Sequence, residues 1–467
     1  MERITEEDTI AAVATAYGEG GIGIVKLSGT GAEHILRKVF RKNAGRGSLK
    51  NAGIFEDRRL YYGRVADESG ETVDEALAVF MRGPHTYTGE DVAEIDCHGS
   101  VIALRKTLAL VLREGARLAE PGEFTKRGFL NGRIDLAQAE AVMDVVRAKT
   151  DAAHNASVAQ LEGGLSAKIR EIEKTLRGLL AEISVRAEYP EEDAEEFSFT
   201  DPAEVLSALK AEISQLISTA AAGKAVRDGL TAVIAGRPNV GKSSLLNRLA
   251  GEARAIVTEV PGTTRDTIEE TVSVRGIPVN LVDTAGIRAA DGIIEEMGIF
   301  RSWDALNRAD LILFMLSAAA PAGAKDMEIA RRIGEKAAII LLNKTDLPVC
   351  ADISAVRRLL PKAELIEISV KENKGLNELE SAIERMVYAG TVRQNESLLV
   401  TNARHAELLR QAFAKLEDAE GALRNDMPPE LAELDLREAW ECLGGVTGEC
   451  AREDIIDEIF SGFCVGK

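Results

Sequence analysis

The sequence is poor in cysteine and in positive charge. Its five cysteines are scattered and include no C-x-x-C pair. This excludes the usual zinc sites and a disulfide framework, and it favours the reducing cytoplasm. Lysine and arginine total 57 against 76 aspartates and glutamates, a formal net charge of −19, so a polyanion would be repelled overall. An RNA partner would need a local basic surface. Arg37–Lys42 with Arg46 and Lys50 is one candidate, and an ordinary solvated helix end is the alternative.

Long apolar runs are also missing. Leu311–Leu316 with its alanine tail ends at Pro321, well short of the roughly 20 residues that span a bilayer. The stretch Met1–Asp8 is acidic and polar, unlike a signal peptide. We therefore expect no membrane partner, and a length of 467 residues predicts about three domains.

The secondary-structure signals change character along the chain. Residues 1–122 mix strand alternation with helical spacing, which predicts an α+β domain. Residues 123–222 and 386–467 carry mostly helical patterns, whereas 223–385 alternates strands with helices. The economical arrangement is a multidomain protein of the α/β and α classes, in which an α/β domain is inserted into a discontinuous helical domain.

One stretch of the α/β segment fits the phosphate-loop pattern G-x-x-x-x-G-K-S. Gly236–Ser244 lies between a predicted strand and a predicted helix, so its N–H groups and the helix N-terminus would bind phosphates. A glycine-rich turn that matches by chance is the alternative. Lys242 would reach the β- and γ-phosphates and Ser243 would ligate Mg²⁺. The predicted nucleotide contacts here are Asn239, Val240, Gly241, Lys242, Ser243 and Ser244.

Two later motifs are typical of a nucleotide-driven switch. In Pro261–Asp266 a threonine can offer its hydroxyl to Mg²⁺ and its N–H to the γ-phosphate, and we assign the metal contact to Thr264. Asp283, at the end of a predicted buried strand, would hold the Mg²⁺ shell, and Gly286 would donate its N–H to the γ-phosphate.

The next two motifs select the base. Asn343, Lys344 and Asp346 follow a predicted buried strand. A carboxylate at Asp346 can accept hydrogen bonds from guanine N1–H and N2–H₂, donors that adenine lacks, and such sites discriminate by about 10⁴. N–H groups of Ser369, Val370 and Lys371 would face the base. Five motifs in this order predict a GTP-binding P-loop domain of the Ras-like superfamily.

Hydrolysis in this domain needs unusual groups. The glutamine that orients the attacking water in Ras-type enzymes is replaced by Ile287. Carboxylates in Asp291–Glu296 are candidates for that task, beside Lys242 and Thr264 as catalytic groups. The side-chain oxygen of Asn239 could ligate a monovalent cation in place of an arginine finger. Simple loop geometry is the alternative for Asn239.

With these residues assembled, the chain resembles the tRNA-modification GTPase family MnmE (TrmE) over essentially its whole length. The resemblance outside the GTPase segment rests on Gly20–Gly29, Tyr87–Asp91 with Glu94 and His98-Gly99, Pro121–Thr125, Phe129–Glu140 and Phe463–Lys467. It implies a homodimer built through N-terminal domains that bind a tetrahydrofolate derivative, 5-formyl- or methylene-tetrahydrofolate, as one-carbon donor. By motif match the folate pocket would be lined by Lys26, Glu94, Arg133 and Lys467. Family members usually carry arginine where this chain has Lys26, so the bidentate fork is lost here.

The resemblance also implies a mechanism. K⁺ would be bound by Asn239 with Thr258, Val260 and Thr263, and Thr258, Thr263 and Thr264 would also contact GTP. Glu295 would orient the water, with Glu296 as the near alternative. A flavoprotein partner, MnmG (GidA), would cooperate in adding a carboxymethylaminomethyl (aminomethyl-type) group to C5 of the wobble uridine of certain tRNAs. Cys464 lies beside the folate-facing tail, where we interpret it as a small buried thiol, with a covalent role as the alternative.

Two other functions are compatible with the nucleotide motifs. A ribosome-assembly GTPase of the same superfamily would carry an appended basic RNA-binding module, which this acidic sequence does not show. A non-catalytic nucleotide switch that binds a partner helix would show negligible turnover even with K⁺.

Overall fold

The computed structural model describes most of the chain, and it divides into two compact units. The described residues are 8–43, 49–51, 53–188, 201–252, 269–283, 306–388, 398–425 and 427–467. The first unit is Met1–Met143 with Gly444–Lys467, and the second is Asp144–Leu443. Among the described helices, none combines the length and the apolar character needed to cross a bilayer.

The first unit is built on an eight-stranded sheet with strand order β4-β3-β5-β6-β7-β2-β1-β8. Neighbouring strands run antiparallel except β1 and β8, which are parallel. The strands are β1 (Ile10–Val13), β2 (Gly20–Ser28), β3 (Phe40–Asn43), β4 (Leu49–Asn51), β5 (Tyr61–Ala66), β6 (Thr72–Met81), β7 (Val92–Gly99) and β8 (Arg117–Leu118). Its helices are α1 (Ala32–Val39), α2 (Val101–Arg113), α3 (Glu123–Leu130), most of α4 (Leu136–Arg147) and α15 (Glu453–Ser461).

The two faces of this sheet have different roles. Alternate residues of β2 and β7, such as Val25, Leu27 and Ile95, are fully buried in a core with residues of α1 and α2. The residues between them have the opposite orientation because side chains alternate along a strand. Lys26 and Glu94 belong to this second set and are cross-strand partners. The period-2 pattern therefore brings two predicted site residues together.

The second unit combines helices with a six-stranded sheet of order β10-β11-β9-β12-β13-β14. All neighbours are parallel except the β10–β11 hairpin. The strands are β9 (Leu230–Ala235), β10 (Glu269–Val274), β11 (Ile277–Asp283), β12 (Leu311–Ser317), β13 (Ala338–Asn343) and β14 (Glu364–Glu367). The helices are α5 (Asp151–Leu161), α6 (Gly164–Glu188), α7 (Pro202–Ser218), α8 (Ala220–Asp228), α9 (Lys242–Glu252), α10 (Ala324–Ile333), α11 (Ser354–Leu359), α12 (Leu376–Val387), α13 (Ala403–Arg424) and most of α14 (Pro429–Thr447).

Both faces of this second sheet are covered. Along β9, Ala232 and Ile234 pack into one apolar core, and Val233 and Ala235 pack into another. In a parallel sheet that is buried on both faces, each strand is a continuous run of apolar residues. The strands before the nucleotide motifs have such runs. Since β9 and β13 are parallel strands of one sheet, their carboxyl ends lie at the same edge, where ligands bind in such folds.

The fold class predicted from the sequence is confirmed: an N-terminal α+β part, helices, and a P-loop α/β part. Asp201 is the N-cap of α7, and its side chain accepts a hydrogen bond from Ala203 N. The domain boundaries 1–122, 223–385, and 123–222 with 386–467 stay a prediction.

Candidate functional site

The phosphate loop joins the buried end of β9 to the start of α9. Gly236 has φ +151°, Asn239 has φ +64° and Gly241 has φ +109°, so the loop has a positive φ at three residues. A Cβ on Gly241 would lie 2.4 Å from Asn343 Nδ2, which leaves room for glycine alone. The loop ends at the first turn of α9, where Ser243 and Ser244 are exposed beside the helix N-terminus. This is the anion-binding geometry that the motif predicts.

Lys242 is held at this loop by backbone oxygens. Its Nζ donates to Gly236 O at 2.8 Å and to Arg237 O at 2.9 Å, and the residue is only 8% exposed. The two carbonyls belong to the first turn of the loop, so they fix the ammonium relative to the loop's N–H groups. A cation in this position attracts the phosphates of a nucleotide.

The base-recognition motif is physically joined to the phosphate loop. Asn343 is 3% exposed at the end of β13, and its Nδ2 donates to Val240 O at 2.8 Å while its Oδ1 accepts from Val370 N at 3.2 Å. Lys344 Nζ donates to Asn239 O at 2.8 Å. The structure therefore brings three separate sequence motifs together at one edge of the sheet.

The Asp346 carboxylate is held in place by a hydrogen bond from Ser369. Ser369 Oγ donates to Asp346 Oδ1 at 2.8 Å, and Ser369 itself is fully buried. This hydrogen bond is the main reason that the pKa of the Asp346 carboxyl lies below its ordinary value, and the charges of Lys371 and Lys344 lower it further. An ionised carboxylate beside a fixed backbone segment suits the two N–H donors of guanine.

Part of the predicted GTP site lies outside the described residues. The backbone of Asp283 ends β11 and pairs in register with Ile234 of β9, so this strand end lies next to the phosphate loop. Its carboxylate is not among the described side chains. The remaining predicted residues outside the description are Thr258, Val260, Thr263, Thr264, Gly286, Glu295 and Glu296.

A second group of predicted residues meets in the first unit. Lys26 Nζ lies 3.8 Å from Glu94 Oε1. The same ammonium lies 5.0 Å from the ring centroid of Tyr87 and 5.4 Å from that of Phe124. Burial lowers the pKa of Lys26, and the positive charge of Lys467 lowers it further, whereas the negative charge of Glu94 raises it. The ammonium is thus largely desolvated between a carboxylate and two aromatic rings.

Arg133 approaches the same ring. Its guanidinium carbon lies 5.0 Å from the Tyr87 centroid, and the Tyr87 hydroxyl is hydrogen-bonded to Thr125 Oγ1 at 2.9 Å. Tyr87 and Phe124 were not predicted to line this site, although both lie in motifs that carry the family resemblance. The only signal for them is their position in those motifs, because the contact between the rings and the cations depends on tertiary structure.

The C-terminal tail lies beside this group. Phe124 N donates to Lys467 O at 3.2 Å, and Gly122 N donates to Cys464 O at 3.3 Å. Gly466 has φ +92°, and a Cβ there would lie 2.4 Å from Val13 O, so the tail needs glycine to approach the sheet. The buried-thiol interpretation of Cys464 is wrong, since this cysteine is exposed. The tail reaches the sheet through its backbone, which turns the thiol outward.

Comparison with known protein families gives a match in each of two parts of the chain. A family model described as the MnmE helical domain matches residues 136–464, and one described as the GTP-binding protein TrmE N-terminus matches residues 9–133.

Full-length relatives carry one name, "tRNA modification GTPase MnmE". The protein of Alkaliphilus metalliredigens is 48% identical over 462 residues, covering 99% of each chain. Those of Clostridioides difficile and Bacillus subtilis are 47% and 46% identical, covering 99% and 98% of this chain and 99% and 100% of their own. The chain therefore belongs to the MnmE (TrmE) family of GTPases and is a GTP-hydrolysing enzyme.

Proposed function

We propose that this GTPase acts in tRNA modification. Together with a flavoprotein partner of the MnmG (GidA) type, it adds a carboxymethylaminomethyl (aminomethyl-type) group to C5 of the wobble uridine of certain tRNAs, with a tetrahydrofolate derivative as the one-carbon donor. The observation that carries the proposal is the cluster of Lys26, Glu94 and Arg133 around Tyr87, in a chain that also holds a guanine-nucleotide site.

The donor set of this cluster fits a folate. Glu94 can accept hydrogen bonds from the pterin amino group and a ring N–H, and Lys26 and Arg133 can meet its carbonyl oxygen or the glutamate carboxylates. The rings of Tyr87 and Phe124 offer flat apolar walls for the pterin. Lys467 of the tail adds a further cation, and its charge lowers the pKa of Lys26.

The residues of the nucleotide site divide the work of hydrolysis. Lys242 holds the β- and γ-phosphates, and Asp346 orients the base. Ser243 and Thr264, with Asp283 nearby, would hold Mg²⁺, which would neutralise charge on the phosphate oxygens. Glu295 positions the attacking water, a task that Ile287 cannot perform. Asn239, with Thr258, Val260 and Thr263, would hold K⁺, and the charge of that ion would replace an arginine finger.

Asn239 provides the sharpest test of the cation. Its φ of +64° offers a second explanation for asparagine here, because asparagine tolerates the left-handed region. Asn239→Gly keeps this backbone geometry and removes the side-chain oxygen. We expect the variant to bind GTP as the wild type does but to lose K⁺ stimulation of phosphate release. Asn239→Asp, which keeps an oxygen, is the matched control. Unchanged stimulation by K⁺ in the glycine variant would refute the cation role.

The folate site is tested by calorimetric titration with 5-formyltetrahydrofolate. We expect Glu94→Gln to weaken binding about tenfold or more, because hydrogen bonds to a charged acceptor contribute about 1.5–3 kcal/mol each. A chain that lacks Gly466 and Lys467 should also bind more weakly. Glu75→Gln, an exposed residue of β6 paired with Arg64, is the control and should bind normally. If the wild-type protein does not bind the folate, the one-carbon role is wrong.

The same proposal includes a homodimer built through the N-terminal domains. It also includes a cytoplasmic location, where the protein would encounter tRNA and the flavoprotein. Relatives named tRNA modification GTPases, at 46–48% identity over nearly the whole length, speak against a ribosome-assembly GTPase and against a non-catalytic switch.

A further inference from the structure

Asp326 is a fully buried carboxylate in the first turn of α10 (Ala324–Ile333). Its Oδ2 accepts from Gly323 N at 2.8 Å, so it caps the helix. Its Oδ1 is buried and has no hydrogen-bond partner among the described residues. Capping alone does not require a fully buried charge, since a buried carboxylate is costly unless a cation compensates it.

The compensating cation comes from the phosphate loop. Arg237 Nε lies 2.7 Å from Asp326 Oδ2, and Arg237 Nη2 donates to Pro321 O at 3.2 Å. Gly323 leaves room for the guanidinium, because a Cβ there would lie 3.2 Å from Arg237 Nη1. Arg237 is therefore fixed at two points to the segment that connects β12 (Leu311–Ser317) to α10.

The backbone of Arg237 in turn holds Lys242. The Arg237 carbonyl is one of the two that accept hydrogen bonds from Lys242 Nζ, and the other belongs to the neighbouring Gly236. A fixed Arg237 side chain thus fixes the turn that orients the phosphate-binding ammonium. Since Asp326 neutralises the guanidinium, Arg237 contributes position to the site rather than additional positive charge.

We propose that Arg237 and Asp326 are positioning residues for the nucleotide's phosphates. Their ion pair anchors the first turn of the phosphate loop to the β12–α10 connection, so that Lys242 and the loop N–H groups are already in place when the nucleotide arrives. The inference concerns the GTPase site alone and does not depend on folate, K⁺ or tRNA. Neither residue belongs to the predicted base-binding set, whose members Asp346 and Ser369 lie on other elements.

The test compares ligands that differ only in the phosphates that the loop would hold. Calorimetry measures GDP and GMP binding to the full-length protein, wild type against Arg237→Gln. We expect GDP affinity to fall about tenfold or more, because small displacements of aligned groups are costly, while GMP affinity stays within about twofold. A merely structural role would weaken both ligands equally or neither. Either of those results would overturn the proposal.

Four further variants complete the test. Asp326→Asn keeps an acceptor for Gly323 N and removes the charge, and we expect the same selective loss of GDP affinity. The double variant should be no weaker than Arg237→Gln, because two residues that act as one pair are not additive. Arg385→Gln removes an exposed ion pair with Glu364 in the same unit and should leave both affinities unchanged.

If Arg237→Gln does not fold, Arg237→Lys should show a smaller selective loss of GDP affinity, since lysine keeps the charge but not the planar fork of the guanidinium. An unchanged GDP-to-GMP ratio in that variant would equally overturn the proposal.

Discussion

Replacing Asp346 with asparagine is expected to lower the affinity for GTP about 10²- to 10⁴-fold. The ionised carboxylate can accept two hydrogen bonds from guanine, and hydrogen bonds to a charged group contribute about 1.5–3 kcal/mol each, with tenfold in affinity for every 1.4 kcal/mol. Asparagine keeps one oxygen and turns an NH₂ group toward a guanine donor, so one pairing becomes repulsive. The low pKa of Asp346 means that the wild-type carboxylate is charged at neutral pH.

The control ligand is xanthosine triphosphate. Xanthine carries an oxygen where guanine carries N2–H₂, so the asparagine NH₂ group can donate to it. We expect Asp346→Asn to bind xanthosine triphosphate more tightly than the wild type does, measured by competition against a fluorescent nucleotide. Ser369→Ala, which removes the hydrogen bond to Asp346 at 2.8 Å, should weaken GTP binding by a smaller factor. If asparagine leaves the preference for GTP intact, Asp346 does not read the base.

The phosphate loop and the base motif can be located in the sequence because each is a local pattern. The phosphate loop is a contiguous stretch between a strand and a helix, and the glycine at position 241 has a steric reason in the structure. The base motif follows a buried strand that was recognisable from its apolar run. What the motifs could not predict is their connection through Asn343, whose amide at the end of β13 donates to Val240 O although β12 lies between β13 and β9 in the sheet.

The second group was predicted in a different way. Lys26, Glu94 and Arg133 are far apart along the chain, and strand alternation alone gives no partner for any of them. Their joint assignment came from the family resemblance, and the register of β2 with β7 gives the physical reason that Lys26 meets Glu94. Tyr87 and Phe124 were not predicted as site residues, because one ring lies in a loop and the other in the short helix α3, and no sequence pattern connects them.

Ion pairs with long sequence separation were also invisible. Arg237 and Asp326 lie in a loop and a helix that no pattern connects, and each alone looks like an ordinary charged residue. The same holds for a larger set of charges in the first unit, around Arg127 of α3. These contacts depend on which elements pack together, and that is decided by the tertiary fold.

Arg127 is the centre of that set. It is buried in α3, with its Nη2 2.6 Å from Asp8 Oδ1 and 3.0 Å from Glu123 Oε1, and its Nη1 3.2 Å from Glu90 Oε1. Arg117 shares two of these partners, at 2.7 Å from Glu123 Oε1 and 2.8 Å from Asp8 Oδ2. Glu123 is as buried as Arg127, so its charge depends on these arginines.

Replacing Arg127 with methionine should therefore destabilise the first unit by about 3 kcal/mol, the lower end of the cost of breaking a buried ion pair, because Arg117 still pairs with Glu123 and Asp8. Hydrogen exchange of peptides from β1 and β7 measures the local opening free energy of this unit. Arg59→Met removes an exposed pair with Glu56 at 2.6 Å and should change the same opening free energy far less, because solvent screens that pair. Equal effects of the two substitutions would contradict the role of burial.

The pH dependence of this stability gives a second measurement on the same variant. Burial raises the pKa values of Asp8 and Glu123, but hydrogen bonds from Arg127 and Arg117 outweigh burial, so both carboxyls have lowered pKa values. A carboxyl with a lowered pKa in the folded state stabilises the fold above its unfolded pKa of about 4, and this stability is lost as the pH falls through the folded value. The wild-type opening free energy should thus decrease below about pH 4. In Arg127→Met the decrease should be shallower, because one of the two cations that hold the carboxylates ionised has gone. A variant that kept the wild-type slope would show that Arg117 alone sets these pKa values.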